Sequence, residues 1–426
     1  MALDLFRYQA KGVCGLIGHD NTPPGTLEEL VNLKAEDGGE SRGVLYTQGG
    51  EKTAVIIMHP RVEMTRHYLI PALINAGYAV FGQESRWNNN DAATIHEMLM
   101  ADVAAGMVFL KETRNFQQVA CVGNSGGGSL FTFYQAQAAT QPPGRLTDTA
   151  AGDPYDLNKI TMPQLDGAII LAAHGGQGQY LMGSIDPSVT DEVDPLSRDS
   201  ALDMYNIDNG FQEPPMPTRY EAAFVDAYRQ GQRARIARID AIAKRHIAEQ
   251  RLYQGLMLAD GFAEQPFDAR EEISQRAVTG RYMTINRTEA NLAFCDPSID
   301  PSTRDYGSLW SRRPDLFNYT EAGFCKVMTP RGWLSTWSGL SSRAVTEENI
   351  VLVTIPTLLL YFAGDNCIFP SLAHDLLAAC GASDKELIFM EGDHFGYPNP
   401  DRPKEGGRAQ AGAAVIDWLK PRFPPK

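Results

Sequence analysis

Two residues far apart in the chain have the types and settings for nucleophilic chemistry. One is Ser125 in Gly123-Asn124-Ser125-Gly126-Gly127, the other His394 in Gly392-Asp393-His394. A serine hydroxyl is a weak nucleophile until a base takes its proton, and the base needs a third group, usually a carboxylate, to orient it. Asp365, which follows Gly364, is the candidate carboxylate. Glu84, at the end of the strand before a long helix, is a further carboxylate to weigh, while Asp393 sits on a turn beside the histidine and Asp375 falls within a helical stretch, so both read as structural. His19, His67, His96, His246 and His374 show no partner pattern and read as packing or surface residues.

These groups act together only if the chain brings them to one place. The apolar run 119–122 reads as a buried strand, and Leu130, Phe131, Phe133 and Tyr134 open a helix, so the glycines between them permit a sharp turn that exposes the Ser125 hydroxyl. Residues 357–362 and 386–390 read as strands ending just before Asp365 and His394, which places both at C-terminal strand ends, where open parallel sheets build their sites. Earlier, 27–35 and 43–46 form a hairpin pattern around Asp37-Gly38-Gly39, and 53–58 is a continuous apolar run of the kind found in strands covered on both faces. Residues 67–75 read as a helix, 78–81 as a strand, 91–113 as a long helix capped by Asp91, 165–173 as a buried strand, and 371–379 and 411–419 as helices. Strands alternating with helices predict a mostly parallel sheet with helices on both faces. From 176 to about 348 the alternation stops, and the main feature is a long amphipathic helix over 219–257.

The elbow at Ser125, Gly364-Asp365 and Gly392-Asp393-His394, in that order, resemble the alpha/beta-hydrolase fold over residues 27–175 and 350–420. The resemblance implies Ser125 as nucleophile, His394 as general base and then acid, and Asp365 as its orienting partner. It implies an oxyanion hole with one donor from the Gly126 N–H and another from the loop after the strand ending at His59. Many relatives carry His-Gly there; this chain has His59-Pro60-Arg61, and proline lacks an N–H, so the second donor becomes Arg61 or Val62. His174-Gly175-Gly176 looks more like that dipeptide but follows the wrong strand, and reads as a flexible exit into the insertion. Candidate substrate-binding residues are His59, Arg86, Trp333 and Trp337. Arg86 is suited to a bidentate grip on a carboxylate, with tethering of its own loop through Glu84 or Asp91 as the plainer role. The two tryptophans are either a pocket wall or the insertion's own core.

The implied organisation is a core of residues 1–175 and 351–426 with a helical cap, 176–350, whose long helix would serve as a lid or in a homodimer. The implied activity is a serine hydrolase that cleaves a carboxylic ester of a partly apolar small molecule through an acyl-enzyme. Asn124 before the serine also occurs in hydrolases of carbon–carbon bonds in ring-cleavage products, and thioester, amide and lactone cleavage use the same triad. A non-catalytic ligand-binding protein of the same fold is the alternative outside enzymology. Haloalkane dehalogenases and epoxide hydrolases need a carboxylate where Ser125 stands.

Composition narrows the field further. A net charge of −14 over 426 residues disfavours a nucleic-acid partner. The six cysteines have no Cys-x-x-Cys spacing and read as reduced thiols of a cytosolic protein; no histidine pair has ligand spacing, and no cofactor or metal is implied. Residues 1–15 lack a basic start before an apolar run and no segment has membrane-spanning length, so the expected location is the cytoplasm, away from membranes.

Overall fold

The computed structural model describes residues 6–7, 13–19, 21–214, 216–398 and 406–426. Its centre is an eight-stranded sheet. The strands are β1 (Leu27–Lys34), β2 (Glu40–Thr47), β3 (Thr53–Met58), β4 (Ala79–Gln83), β5 (Gln118–Asn124), β6 (Gly167–Leu171), β7 (Thr357–Phe362) and β8 (Lys385–Met390). They lie in the order β1-β2-β4-β3-β5-β6-β7-β8. Only β2 runs antiparallel to its neighbours; from β4 across to β8 every pairing is parallel. This is the alpha/beta-hydrolase arrangement expected from the sequence, and it brings the C-terminal ends of β3, β5, β6, β7 and β8 to one edge.

Burial explains why the strands read as they do. All of β3, β4, β6 and β7, and nearly all of β5, is inaccessible to solvent because helices cover both faces. Each fully buried aliphatic side chain there contributes about 1.5–3 kcal/mol of hydrophobic stabilisation, which a half-exposed strand would lose in part. The covering helices are α1 (Ile70–Asn75), α2 (His96–Val108), α3 (Gly126–Ala139), α7 (Pro370–Ala379) and α8 (Gly407–Arg422). Between β6 and β7 lie α4 (Gln177–Ser184), α5 (Ala222–Met257), α6 (Phe267–Val278) and a two-stranded ribbon of Met283–Thr284 with Val327–Met328. Their apolar side chains form two clusters of their own, one around Ile236, Ile239, Trp333 and Trp337 and one around Tyr228, Leu292 and Phe294.

Some local expectations shift. The helix expected from Asp91 begins at His96, and Asp91 does not cap it: its carboxylate lies beside Arg61. The free N–H of His96 instead donates to Ser335 Oγ at 2.9 Å, and Ser335 Oγ donates to Glu97 Oε2 at 2.5 Å. A distant segment thus supplies the cap that a sequence window attributes to a neighbour. His174-Gly175 is no loose exit either. His174 is buried, its carbonyl accepts from Thr346 Oγ1 at 2.9 Å, and the Gly175 carbonyl accepts from Thr346 N at 3.0 Å. The five cysteines whose side chains are described are buried and unpaired, and the Cys14 side chain lies outside the described residues. Among the described residues, no helix is long and apolar enough to cross a membrane.

Candidate active site

Ser125 occupies the turn between β5 and α3 with φ 53° and ψ −118°, a conformation that β-carbon-bearing residues adopt only under strain. The motif glycines make the turn possible. A Cβ on Gly123 would sit 2.6 Å from the Gly127 carbonyl oxygen, and one on Gly127 would sit 2.5 Å from that of Met58. Asn124, just before the serine, braces the turn: its amide donates to the Leu171 carbonyl at 3.0 Å and its oxygen faces His67 Nε2 at 3.3 Å.

The two distant candidates converge here. His394 Nε2 lies 3.2 Å from Ser125 Oγ, and His394 Nδ1 lies 2.7 Å from Asp365 Oδ2. The other Asp365 oxygen accepts from the backbone N–H of Cys367 at 2.6 Å and of Ile368 at 2.9 Å, so the carboxylate is locked in orientation. Those two donors come from the turn after β7 and leave no trace in side-chain identity, which is why the sequence does not flag them. His394 is buried, which alone would lower its pKa, but the Asp365 charge and hydrogen bond outweigh burial and hold it above the usual histidine value. Cys367 Sγ is near enough to complete a metal-binding group with Asp365 and His394. Burial, and after it the Asp365 charge, push that thiol well above its ordinary pKa. Glu84, the alternative acid, pairs with Arg42 at 2.7 Å, and Asp393 accepts from the N–H groups of Phe395 and Tyr397 within its own turn.

The oxyanion loop differs from expectation. Gly126 opens α3, where the first N–H groups have no intrahelical partner. The N–H groups of Arg61 and Val62, expected to supply the second donor, instead point at His59 Nδ1, at 3.2 and 3.1 Å. An Nδ1 that accepts twice carries no proton. Burial, followed by the Arg61 charge, depresses the His59 pKa well below the usual value, so the ring is neutral with its proton on Nε2. A Cβ on Gly126 would lie 2.7 Å from that Nε2 and 2.7 Å from Gln177 Nε2, so both nitrogens flank the residue after the serine. Gln177 Oε1 accepts from Ser129 Oγ at 3.1 Å, and its buried Nε2 has no hydrogen-bond partner among the described residues.

A narrow cavity of about 30 Å³ opens onto Ser125 and His394. Its apolar wall is built from Val62, Met64, Leu309, Trp310, Phe324 and Phe395, and His59 and Arg61 also line it. Arg86 lies outside this lining. Its guanidinium binds Asp37 at 2.7 and 2.8 Å and Asp102 at 2.7 Å, so its full fork is occupied by loop tethering, through partners other than Glu84 and Asp91. Trp333 is buried in the insertion's own cluster, donating from Nε1 to Asp240 at 2.7 Å. Trp337 is also buried there and lies behind the lining, stacked on Phe324 with ring centres 5.7 Å apart and 5.4 Å from the Arg61 guanidinium carbon. Phe324 was not singled out in the sequence, because an aromatic residue in an irregular stretch carries no periodic signal.

No family model and no curated protein matches the chain. Among solved structures it is similar to DcsB in complex with its substrate analogue, at 10% identity over 93% of this chain and 100% of the other, with a TM-score of 0.49. It is also similar to alpha/beta hydrolase GrgF from Penicillium sp. sh18, at 13% identity over 93% and 99%, TM-score 0.45. A third likeness is to the Pyrococcus furiosus esterase Pf2001, at 10% identity over 95% of each chain, TM-score 0.42.

Proposed function

We propose that this protein is a serine hydrolase acting on carboxylic esters through an acyl-enzyme, with Ser125, His394 and Asp365 as its triad. The observation that carries this is the continuous run from Asp365 Oδ2 to His394 to Ser125 Oγ, at 2.7 and 3.2 Å, opening into an apolar cavity. In the forward step His394 Nε2 takes the Ser125 proton while Oγ attacks the ester carbonyl. The tetrahedral oxyanion is held by the Gly126 N–H and by His59 Nε2–H, the donor that replaces Arg61 N–H and Val62 N–H in this reading. His394 then protonates the departing alkoxide, and water, deprotonated by the same nitrogen, releases the acid. Asp365 orients His394 and stabilises the imidazolium. In this reading the segment 176–350 serves as a cap, and Leu309, Trp310 and Phe324 from it line the cavity that Ser125 faces.

A fluorophosphonate probe tests the reading. It should label the wild-type protein at Ser125, and Ser125→Ala should lose both labelling and p-nitrophenyl ester hydrolysis, a fall of about 10⁶ in kcat. An unlabelled but folded wild-type protein would instead favour the ligand-binding alternative.

A further inference from the structure

One side chain in the cavity is not explained by ester hydrolysis. Arg61 lines the same cavity as Ser125 and His394. Its guanidinium carbon lies 4.8 Å from the centre of the Phe324 ring and 5.4 Å from that of Trp337, so two stacked aromatic rings form a platform for it. Asp91 Oδ1 lies 2.9 Å from Nε, but off the N–H axis, so the contact is an ion pair without an aligned hydrogen bond. The Nη1 and Nη2 end makes no hydrogen bond to any described residue. The side chain is 16% exposed, held in place yet open at that end.

Asp91, paired with Arg61 at Nε, offsets part of this charge from outside the cavity lining. None of the lining residues is a carboxylate. Burial, and after it neighbouring charges that include Arg61, hold His59 and His174 in the neutral form, the latter with a pKa lowered to about 3. Arg61 therefore presents its guanidinium to the cavity that Ser125 also lines, framed by apolar walls. An unpartnered guanidinium end of this kind matches a planar carboxylate through two parallel N–H bonds.

We propose that Arg61 is a carboxylate-binding subsite, so that the substrate is an ester carrying a free carboxylate separated by an aliphatic spacer from the bond that is cleaved. This rests on Ser125 being the nucleophile of an ester hydrolase. The spacer lies along the apolar wall and the carboxylate meets the Nη end. Arg61 therefore takes the role that sequence reasoning gave to Arg86, whose guanidinium is already tied to Asp37 and Asp102.

Binding to Ser125→Ala separates recognition from chemistry. The probes are matched pairs in which a carboxylate replaces a methyl group: monomethyl succinate, glutarate and adipate against methyl butanoate, pentanoate and hexanoate. A further pair, 4-acetoxybutanoate against butyl acetate, moves the charge to the alcohol side. Titration calorimetry should show at least one acid ester binding about tenfold or more tighter than its neutral partner, the range expected of a charge-assisted hydrogen bond. In Ser125→Ala/Arg61→Met the two members should bind within about twofold of each other, and Arg61→Lys should keep part of the preference by restoring the charge without the fork. Because each ratio is taken within one protein, a general weakening cancels. Equal binding of all pairs to Ser125→Ala, or a preference that survives Arg61→Met, overturns the subsite. A preference without wild-type hydrolysis of the favoured ester overturns the hydrolase reading and leaves the subsite standing.

Discussion

The sheet and the segment between β6 and β7 hold their polar groups in opposite ways. Across the sheet edge, Ser125, Asp365 and His394 sit just past the ends of β5, β7 and β8, and the parallel register of β5, β6, β7 and β8 brings those ends to one edge. Backbone pairing does the positioning, and the side chains inherit it. In the insertion the order comes from buried side chains. Arg235 is fully enclosed and bonds Glu192 together with the carbonyls of Asp186 and Asn286, while Arg287, also enclosed, meets Tyr319, the Ser197 carbonyl and Asp186. A register tolerates many sequences, whereas a buried guanidinium is satisfied by one arrangement of partners. The candidate catalytic residues thus stand on the region held by backbone, while the cavity wall is shared, with Val62, Met64 and Phe395 from that region and Leu309, Trp310 and Phe324 from the region held by particular side chains.

The sharpest way to break the catalytic half of this contrast is Asp365→Asn. If strand ends supply only position, the variant keeps its fold and loses function. An amide oxygen cannot stabilise the imidazolium or fix the tautomer, so kcat/KM should fall about 10⁴-fold at neutral pH. The wild-type pH profile carries its own sign. Because Asp365 holds His394 above the ordinary value of 6.5, kcat/KM should rise with pH through an apparent pKa above 6.5, as His394 becomes the free base. In Asp365→Asn that acidic limb should move to lower pH, since burial then acts with little opposition. A limb unmoved by the substitution would mean that His394 is not the group being titrated.

For the insertion, Arg287→Met is the matching test. It leaves the buried Asp186 carboxylate with Asn318 Nδ2 but without its cation, and it opens the contacts to Tyr319 and Ser197. Breaking a buried pair from one side costs about 3–5 kcal/mol, so thermal or urea unfolding should show a loss of that size. The cavity wall should loosen with it, raising KM more than it lowers kcat. A drop in stability under about 1 kcal/mol would show that the insertion is held by its apolar clusters instead.

The same contrast explains what could be read from the sequence. The strands were legible because burial on both faces writes a continuous apolar run, as at 53–58 and 357–362, and the elbow because its glycines are sterically required. The meeting of Ser125, His394 and Asp365 followed from strand ends, since chain order and sheet order are linked in a parallel sheet. What stayed hidden depends on contacts between distant segments. Ser335 capping His96 and Asp37 with Asp102 occupying Arg86 are pairings that no local window contains. Trp333 and Trp337 stood out as aromatic, but only packing decides that their rings serve the insertion's core while Phe324 faces the cavity.

His59 lies where the two regimes meet: it follows the end of β3, so the backbone places it, yet its use is set by which atoms its ring nitrogens meet. Proline at 60 removes one N–H from the loop, and the next two turn back onto Nδ1. That arrangement fixes the proton on Nε2, beside Gly126. If this nitrogen takes the place of the missing backbone donor, His59→Phe, which keeps a ring but no donor, should lower kcat by about 10²–10³ with KM nearly unchanged, as loss of one oxyanion donor does. His59→Gln puts an amide N–H near the same position and should recover part of the loss. A purely structural His59 would behave differently. It would lower stability and raise KM in both variants, with no advantage of glutamine over phenylalanine in kcat. Steady-state kinetics alongside thermal unfolding separates the two outcomes, and an equal kcat for the two variants would return the second oxyanion donor to the backbone.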